Sequence, residues 1–589
     1  MKLYDVRVEY QDSPQGLSVS VPRFSWKISS RIQDTVQKAY HIIVRTGDSI
    51  VWDSGKTESR RSVLVPCGMA LREETAYSAV IRVWDQDENE AKSEISFSTG
   101  LFDGKSLSAK MITHDFPEDE TACPVFYTAF KEKKQVARAL LYLTAQGVYE
   151  ASLNGRRIGD DYLAPGWTEY RHRLQFQYYD VTELLAEENL LEIMVGNGWY
   201  KGILGWDVKP NRYGDRVACM GELRIDYADG TRKIISTDTD GSWHVRTGAV
   251  RYSELYMGEV QDLCAPACRS GKVQECPFDR TTLVPQLSEP VRITGRIPAK
   301  KVFTDPKGNL VVDFGQNLAG FVELRIQGKP GQRIEVTHAE TLDQEGVFYP
   351  DTLRTAVSKD VYLVDAGEQV LKPHFTYHGF RYICVKGIEN PLPEMFFACV
   401  LHSDMEQIGS FHCSHADVNR LWENIQWSLR SNFVDVPTDC PQRDERLGWT
   451  GDAQVFSHTA VSSRNAALFF SKWLRDMAAV SSLEKGVPHV IPDYRNSLVA
   501  ELERCGVECI VKSQCLAIAG DGVTIRHEDG TEETLPADTV VYALGMASNG
   551  TEELEAALSV PVYKIGDCKR PAKVAEAIKE GFYTAVEII

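Results

Sequence analysis

The chain has 589 residues, 43% hydrophobic and 25% charged, the composition of a globular protein long enough for about four domains. Its formal net charge of −18 speaks against nucleic acid and against an anionic membrane surface, both of which need a basic face, and leaves neutral sugars and small molecules as compatible ligands. No run of about eighteen apolar residues is present, the N-terminal MKLYDVRVEYQDSPQG lacks the apolar core of a signal peptide, and the fourteen cysteines form no CxxC pair, so we expect reduced thiols in a cytoplasmic protein with no bound metal and no membrane span.

Residues 1–103 read as short strands separated by Gly, Pro and Asp/Ser turns, with alternation over 40–46 and 77–85, which predicts a small β-sandwich. A second β-rich unit is expected over 104–285, with strands at 139–144, 147–153, 191–195 and 219–227. Asn154-Gly155 is a two-residue hairpin signal. Trp199 and Trp206 stand beside flexible glycines, where an exposed sugar platform and a buried anchor look alike in sequence. A third β unit, 286–405, contains the alternating Phe321–Ile326 run and the PHFTYHGFRY segment, whose His374, His378 and Arg381 predict packed or hydrogen-bonded roles over metal ligation.

At about residue 410 the hydrophobic period changes from two to 3.6. Ser414 reads as an N-cap, with Val418, Leu421, Trp422, Ile425, Leu429 and Phe433 on one helical face. Further helices are predicted over 453–461 and 465–480. Between the first two lies Asp439-Cys440-Pro441-Gln442-Arg443-Asp444-Glu445-Arg446-Leu447-Gly448-Trp449-Thr450-Gly451-Asp452, with four carboxylates, two arginines and a tryptophan. Pro441, Gly448 and Gly451 predict irregular backbone through it. Carboxylates around an aromatic suit glycoside cleavage: one protonates a leaving oxygen, others hold hydroxyls, and a ring stacks on a sugar face. A general acid needs a raised pKa; Asp444 and Asp452 would raise it and Arg443 and Arg446 lower it, which leaves the sign open.

After Tyr494 the pattern turns to β/α, with a helix over 498–506, a strand over 509–518, a hairpin over 523–531, a buried strand over 539–545 and a turn at Gly566-Asp567 before a helix over 572–586.

The stretch Asp439–Gln454 resembles the signature of bacterial α-L-rhamnosidases, inverting glycoside hydrolases with an (α/α)6-barrel catalytic domain. LNGRRIGDDYLAPGWTEY (153–170), GNGWYKG (196–202), VDFGQNLAGFVELRI (312–326) and HFTYHGFRY (374–382) are similar to the β-domains of the same family. The resemblance covers about residues 1–494. It implies a multidomain, mainly β chain. The expected parts are a fibronectin-III-like sandwich over 1–103, a sandwich over 104–285 with a carbohydrate-binding aspect, a third sandwich over 286–405 and the first helices of the barrel over 406–494. By the same resemblance Glu445 is the general acid, Asp439 and Asp452 hold rhamnose hydroxyls, Trp449 lines the pocket and Arg443 orients the acids. The implied substrates are rhamnose-containing glycosides. Inversion needs a second carboxylate roughly 6.5–9.5 Å from the acid. The family's base lies late in the barrel, beyond where the resemblance stops, so an impaired or inactive chain is expected, with an aggregation-prone helical region over 410–494.

Residues 540–549 and 564–585 resemble the C-terminal end of flavin/NADH oxidoreductases related to 2,4-dienoyl-CoA reductase. That likeness would bring FAD or NAD, but no GxGxxG occurs in the chain, so no cofactor is expected. The alternatives are a non-catalytic carbohydrate-binding protein and a fusion product with a vestigial oxidoreductase tail.

Overall fold

The computed structural model describes residues 1–264, 268–481, 513–519, 522–527 and 529–536. The chain divides into two units, Met1–Ala479 and Val480–Ile589.

The first unit is mainly β. Over its first hundred residues a three-stranded and a five-stranded antiparallel sheet enclose a core that includes Phe24, Trp26, Ile42, Val44, Ile81 and Phe97. Alternation supplies this core: Ala76–Asp85 buries every second side chain. Next come a six-stranded and a seven-stranded sheet packed through Phe126, Leu141, Leu143, Ile193, Val195, Leu223 and Ile225. The Asn154-Gly155 hairpin forms as the dipeptide predicts, with φ of +56° and +73° and Leu153 paired to Arg156.

A ten-stranded sheet follows, organised by one 19-residue strand, Leu310–Gly328, which pairs with His378–Lys386 and Phe396–Ser403. Two strands from earlier in the chain, Val250–Glu254 and Gly258–Asp262, belong to this sheet, the latter running parallel to Lys359–Val364. Sheet membership therefore crosses residue 285, and it brings Leu255 and Tyr256 to the third sheet.

A single helical turn, α1 (Gly198–Lys201), lies within the β region. The helical region contains α2 (Ala416–Asn432), α3 (Thr450–Ser463) and α4 (Ala467–Ser481). The predicted cap at Ser414 is corrected: α2 starts at Ala416 with His415 at its N-cap and no side-chain cap. Asn419 in the first turn ties down the incoming chain instead, its Oδ1 accepting from Cys413 N at 2.8 Å and its Nδ2 donating to Cys413 O at 2.7 Å. α3 starts earlier than predicted and takes in Gly451. The first-turn amides of a helix have no intrahelical acceptor, so glycine there disturbs little.

α4 is tied to the β region through Lys472. Its fully buried Nζ donates to Asp435 Oδ2 at 2.7 Å, to Asp435 O at 3.1 Å and to Trp167 O. Phe433 stacks on Phe469 at 4.7 Å and joins α4 to the chain after α2. Among the described residues no helix is long and apolar enough to cross a membrane.

Of the second unit, a three-stranded antiparallel sheet is described: Ser513–Ala519, Gly522–His527 and Glu532–Leu535. The strand predicted over 509–518 falls partly on the first of these. The hairpin predicted over 523–531 corresponds to the second and third strands, with Arg526 paired to Glu532 at 2.6 Å. The predicted elements at 498–506, 539–545 and 565–586, and the change of pattern at 494/495, lie outside the described residues.

Candidate active site

Residues 439–447 of the acidic stretch form a loop closed by the pairing of Thr438 with Gly448, just after the small pairing of Val434 with Val436, and Thr450–Asp452 open α3. Asp439 closes it: its backbone N–H donates to Leu447 O at 3.2 Å, and its Oδ1 accepts from Leu447 N at 3.3 Å. Arg446 anchors the loop from inside. It is buried, takes a φ of +46°, and donates to Leu255 O at 2.9 Å, Tyr377 O at 2.8 Å, Gln442 O at 3.0 Å and Arg443 O at 3.1 Å. Its guanidinium lies 5.0 Å and 5.1 Å from the ring centres of Tyr256 and Tyr377. A buried cation is thus satisfied by four carbonyls and two ring faces. Close approach on the sheet side needs Gly379, where an added Cβ would meet Gln442 Cβ at 2.7 Å.

Loop closure brings three predicted residues together. Arg443 Nη2 lies 3.3 Å from Asp439 Oδ2 and 3.1 Å from Glu445 Oε2. Three partners come from outside the stretch. Arg354, at a φ of +57°, places Nε 2.7 Å from Asp444 Oδ1 and Nη2 2.7 Å from Glu445 Oε2. Thr355 donates to Asp444 Oδ2 through its hydroxyl at 2.6 Å and its amide at 3.2 Å. Tyr256 donates its hydroxyl to Glu445 O at 2.6 Å and accepts from Gly205 N at 3.1 Å.

The two central carboxyls are shifted in opposite directions. Burial and the neighbouring Glu445 charge raise Asp439, against hydrogen bonds from Cys440 and Arg443. Burial also acts to raise Glu445, but the Arg354 and Arg443 guanidiniums outweigh it and hold that carboxyl below its ordinary value. The sign that composition left open for Glu445 is therefore downward, set by the Arg354 and Arg443 guanidiniums.

Trp449, at the N-cap of α3, stacks on Trp206 with ring centres 5.6 Å apart and planes 4° from parallel. Trp206 is 42% exposed; Trp199 is 2% exposed and stacks on Trp167, so of the two tryptophans left open by the sequence, Trp199 is a core anchor. Asp452 stands exposed in the first turn of α3, and among the described residues no hydrogen bond or ion pair joins it to Asp439, Arg443 or Glu445.

Two groups have metal-ligand chemistry: Asp439, Cys440 and Glu445 in the loop, and the buried His338, Asp360 and His378, each set with ligand atoms within 4.8 Å. In the second, His378 Nε2 lies 3.2 Å from both Asp360 oxygens, and Arg381, nearby in sequence, pairs with Asp313 at 2.9 Å and 3.0 Å. Burial lowers the His338 and His378 pKa values, which keeps both rings neutral.

Sequence reasoning missed Arg354, Thr355 and Tyr256. No local pattern marks them, because Arg354 and Tyr256 are 91 and 189 residues from Glu445 and meet it through folding of the ten-stranded sheet.

Four family profiles match the chain. They are the Rha78A-like N-terminal immunoglobulin domain over 3–103, the alpha-L-rhamnosidase N-terminal domain over 134–295, the bacterial alpha-L-rhamnosidase concanavalin-like domain over 303–402, and the bacterial alpha-L-rhamnosidase 6 hairpin glycosidase domain over 406–526. The chain is 41% identical over 380 residues to an alpha-L-rhamnosidase of Streptomyces avermitilis, covering 62% of this chain and 36% of that protein. The crystal structure of a Streptomyces avermitilis alpha-L-rhamnosidase complexed with L-rhamnose superposes with a TM-score of 0.77 at 29% identity, covering 82% of this chain and 65% of the other. A metal reductase of Desulforamulus reducens is 37% identical over 99 residues, 16% of this chain and 14% of its own length. The chain spans between 36% and 59% of the curated rhamnosidases it matches.

Proposed function

We propose, from the premise that this chain belongs to the bacterial α-L-rhamnosidase family, that the loop 439–452 cleaves terminal α-L-rhamnose from rhamnosides with inversion. The observation that carries the reading is the pairing of Glu445 and Asp439 through Arg443, with Arg354 fixing Glu445 from the other side. Glu445 is the proton donor to the leaving oxygen, and Asp439 receives a rhamnose hydroxyl. Arg443 orients both carboxyls, Trp449 lines the pocket, and Asp452 holds a further hydroxyl.

The depressed Glu445 carboxyl must take up a proton before it can donate one. Donation from Glu445 requires that the sugar weaken its contact with Arg354 or bring the proton across from Asp439, whose carboxyl oxygen lies within 4.8 Å of a Glu445 oxygen. A single displacement also requires a water-activating carboxylate on the opposite sugar face. The reading divides the chain into β-domains over 1–103, 104–285 and 286–405, helical-domain residues over 406–494, and a distinct segment over 495–589. Buried free thiols at Cys67, Cys219, Cys399 and Cys440 suit a cytoplasmic setting.

Release of nitrophenol from p-nitrophenyl α-L-rhamnoside tests the proposal. The expected result is weak turnover at most, because the family's base lies beyond the resemblance, and Glu445→Gln is expected to reduce whatever turnover there is by roughly 10²–10⁴-fold, the usual contribution of general acid catalysis. Rhamnose binding without turnover by the parent chain would instead favour a non-catalytic carbohydrate-binding protein.

A further inference from the structure

We infer that Tyr256 is a positioning residue for the acid: its hydroxyl holds the main chain of Glu445, so that the carboxyl is kept in one place between the Arg354 and Arg443 guanidiniums. The inference rests on the reading of Glu445 as proton donor and goes beyond it by assigning what keeps the donor in position.

Three observations carry it. First, the Tyr256 hydroxyl is committed in both directions. It accepts from Gly205 N at 3.1 Å and donates to Glu445 O at 2.6 Å, and the residue is 1% exposed. A buried hydroxyl with one donor and one acceptor in place has no free rotation, so the carbonyl that it holds is fixed in direction as well as distance. Among the described residues this is the one hydrogen bond made to the Glu445 main chain.

Second, the peptide held in this way is one that needs holding. The Glu445 carbonyl belongs to the peptide that leads into Arg446, whose φ of +46° is a left-handed conformation, costly for any residue with a Cβ. Such a conformation persists only where its surroundings fix it. The Arg446 side chain is fixed by Leu255 O and Tyr377 O, and its guanidinium lies 5.0 Å from the Tyr256 ring centre. Tyr256 therefore serves both sides of the Glu445–Arg446 junction, the ring face taking the guanidinium and the hydroxyl taking the carbonyl.

Third, Tyr256 is joined to the segment that carries Arg354. Tyr256 O accepts from Ser358 N at 3.0 Å, and Met257 O accepts from Lys359 N at 3.1 Å. Arg354 and Thr355, which hold Glu445 and Asp444, lie just before Ser358, after the short turn Asp351–Leu353. The main chain of Glu445 and the guanidinium that contacts its carboxyl are thus both referred to one residue.

Leaving-group dependence on the full chain tests this, with two aryl α-L-rhamnosides. A 2,4-dinitrophenolate departs without a proton and a p-methoxyphenolate needs one, so the ratio of the two kcat values reads proton donation and divides out what the substrates share. Tyr256→Phe keeps the ring under Arg446 and removes the hydroxyl. It is expected to lower kcat for the p-methoxyphenyl substrate roughly 10–100-fold with KM changed less than about twofold, and to leave kcat for the dinitrophenyl substrate within about threefold. Equal loss with both substrates, or loss with neither, overturns the inference while the functional reading stands. A lowered melting temperature with the kcat ratio unchanged overturns it too, since the hydroxyl then serves the fold alone. Glu445→Gln is the control. If that substitution does not depress the p-methoxyphenyl substrate selectively, or if the parent chain turns over neither substrate, the functional reading falls and takes the inference with it.

Discussion

Glu445 has two guanidinium neighbours, and they do different work. Arg443 belongs to the same loop and touches both Asp439 and Glu445, so it spaces the pair. Arg354 arrives from the β-sheet domain and spans Asp444 and Glu445, so it sets both the orientation of Glu445 and its preference for the ionised form. Removing it has a defined sign. Glu445 is depressed while Arg354 is present, so Arg354→Ala moves its pKa upward. A proton donor loses activity as pH rises through its own pKa, so the alkaline limb of the pH–rate profile is expected to move to higher pH in the variant, with Arg354→Lys restoring part of the original position. A limb that stays in place, or moves to lower pH, would show that Glu445 is not the group whose ionisation the profile reports. None of this was visible in the acidic stretch itself. Its composition identifies the carboxylates, but the charge that decides between them sits 91 residues upstream.

At the scale of elements, the change of period near residue 410 locates the helices, because side chains that repeat every 3.6 residues can bury together only on a helix. What the period does not give is the neighbour. Leu429 and Phe433 of the predicted face are buried with Phe469 on α4, while Val418 and Leu421 from the same stripe are exposed. The β elements were legible from alternation and from Asn154-Gly155. The joining of Val250–Asp262 to the third sheet was not, since strand pairing across a hundred residues leaves no local trace. The attachment of α4 was equally hidden, since Lys472 on an amphipathic helix reads as a solvated charge. Its burial against Asp435 makes it structural. Lys472→Ala would strand the Asp435 carboxylate in the interior, and we expect a loss of about 3–5 kcal/mol in unfolding free energy, measured by denaturant titration. An unchanged denaturation midpoint would mean that Asp435 is reached by water once the lysine is gone.

At the scale of the molecule, the described sheets carry their own apolar cores and the described helices carry exposed apolar side chains. Each of the main sheets has a buried face with its own apolar core. On the helices, Val455 is 79% exposed and Leu421 and Leu474 are each 57% exposed, alongside Ile408 and Phe411. Exposed apolar side chains of this kind bind hydrophobic dyes and promote association where they adjoin. Val455→Lys with Leu474→Lys is therefore expected to lower 1-anilinonaphthalene-8-sulfonate fluorescence and light scattering while leaving the melting temperature within a few degrees, because neither side chain belongs to a buried cluster. Dye binding unaffected by the pair would place the sticky surface elsewhere.

The Arg446 anchor has a consequence for how the molecule is made. Its acceptors at Leu255 and Tyr377, and the two tyrosine rings beneath it, all precede it in the chain. At ~5–20 residues per second, the 69 residues from Tyr377 to Arg446 take roughly 3–14 s to synthesise, and domains fold from the N-terminal end as they emerge from the ribosome. The cradle can thus be finished before the loop that it receives exists. When Arg446 emerges, it meets a socket already assembled, and the carboxylates beside it can be set in place by the older part of the chain before α3 and α4 have emerged and folded.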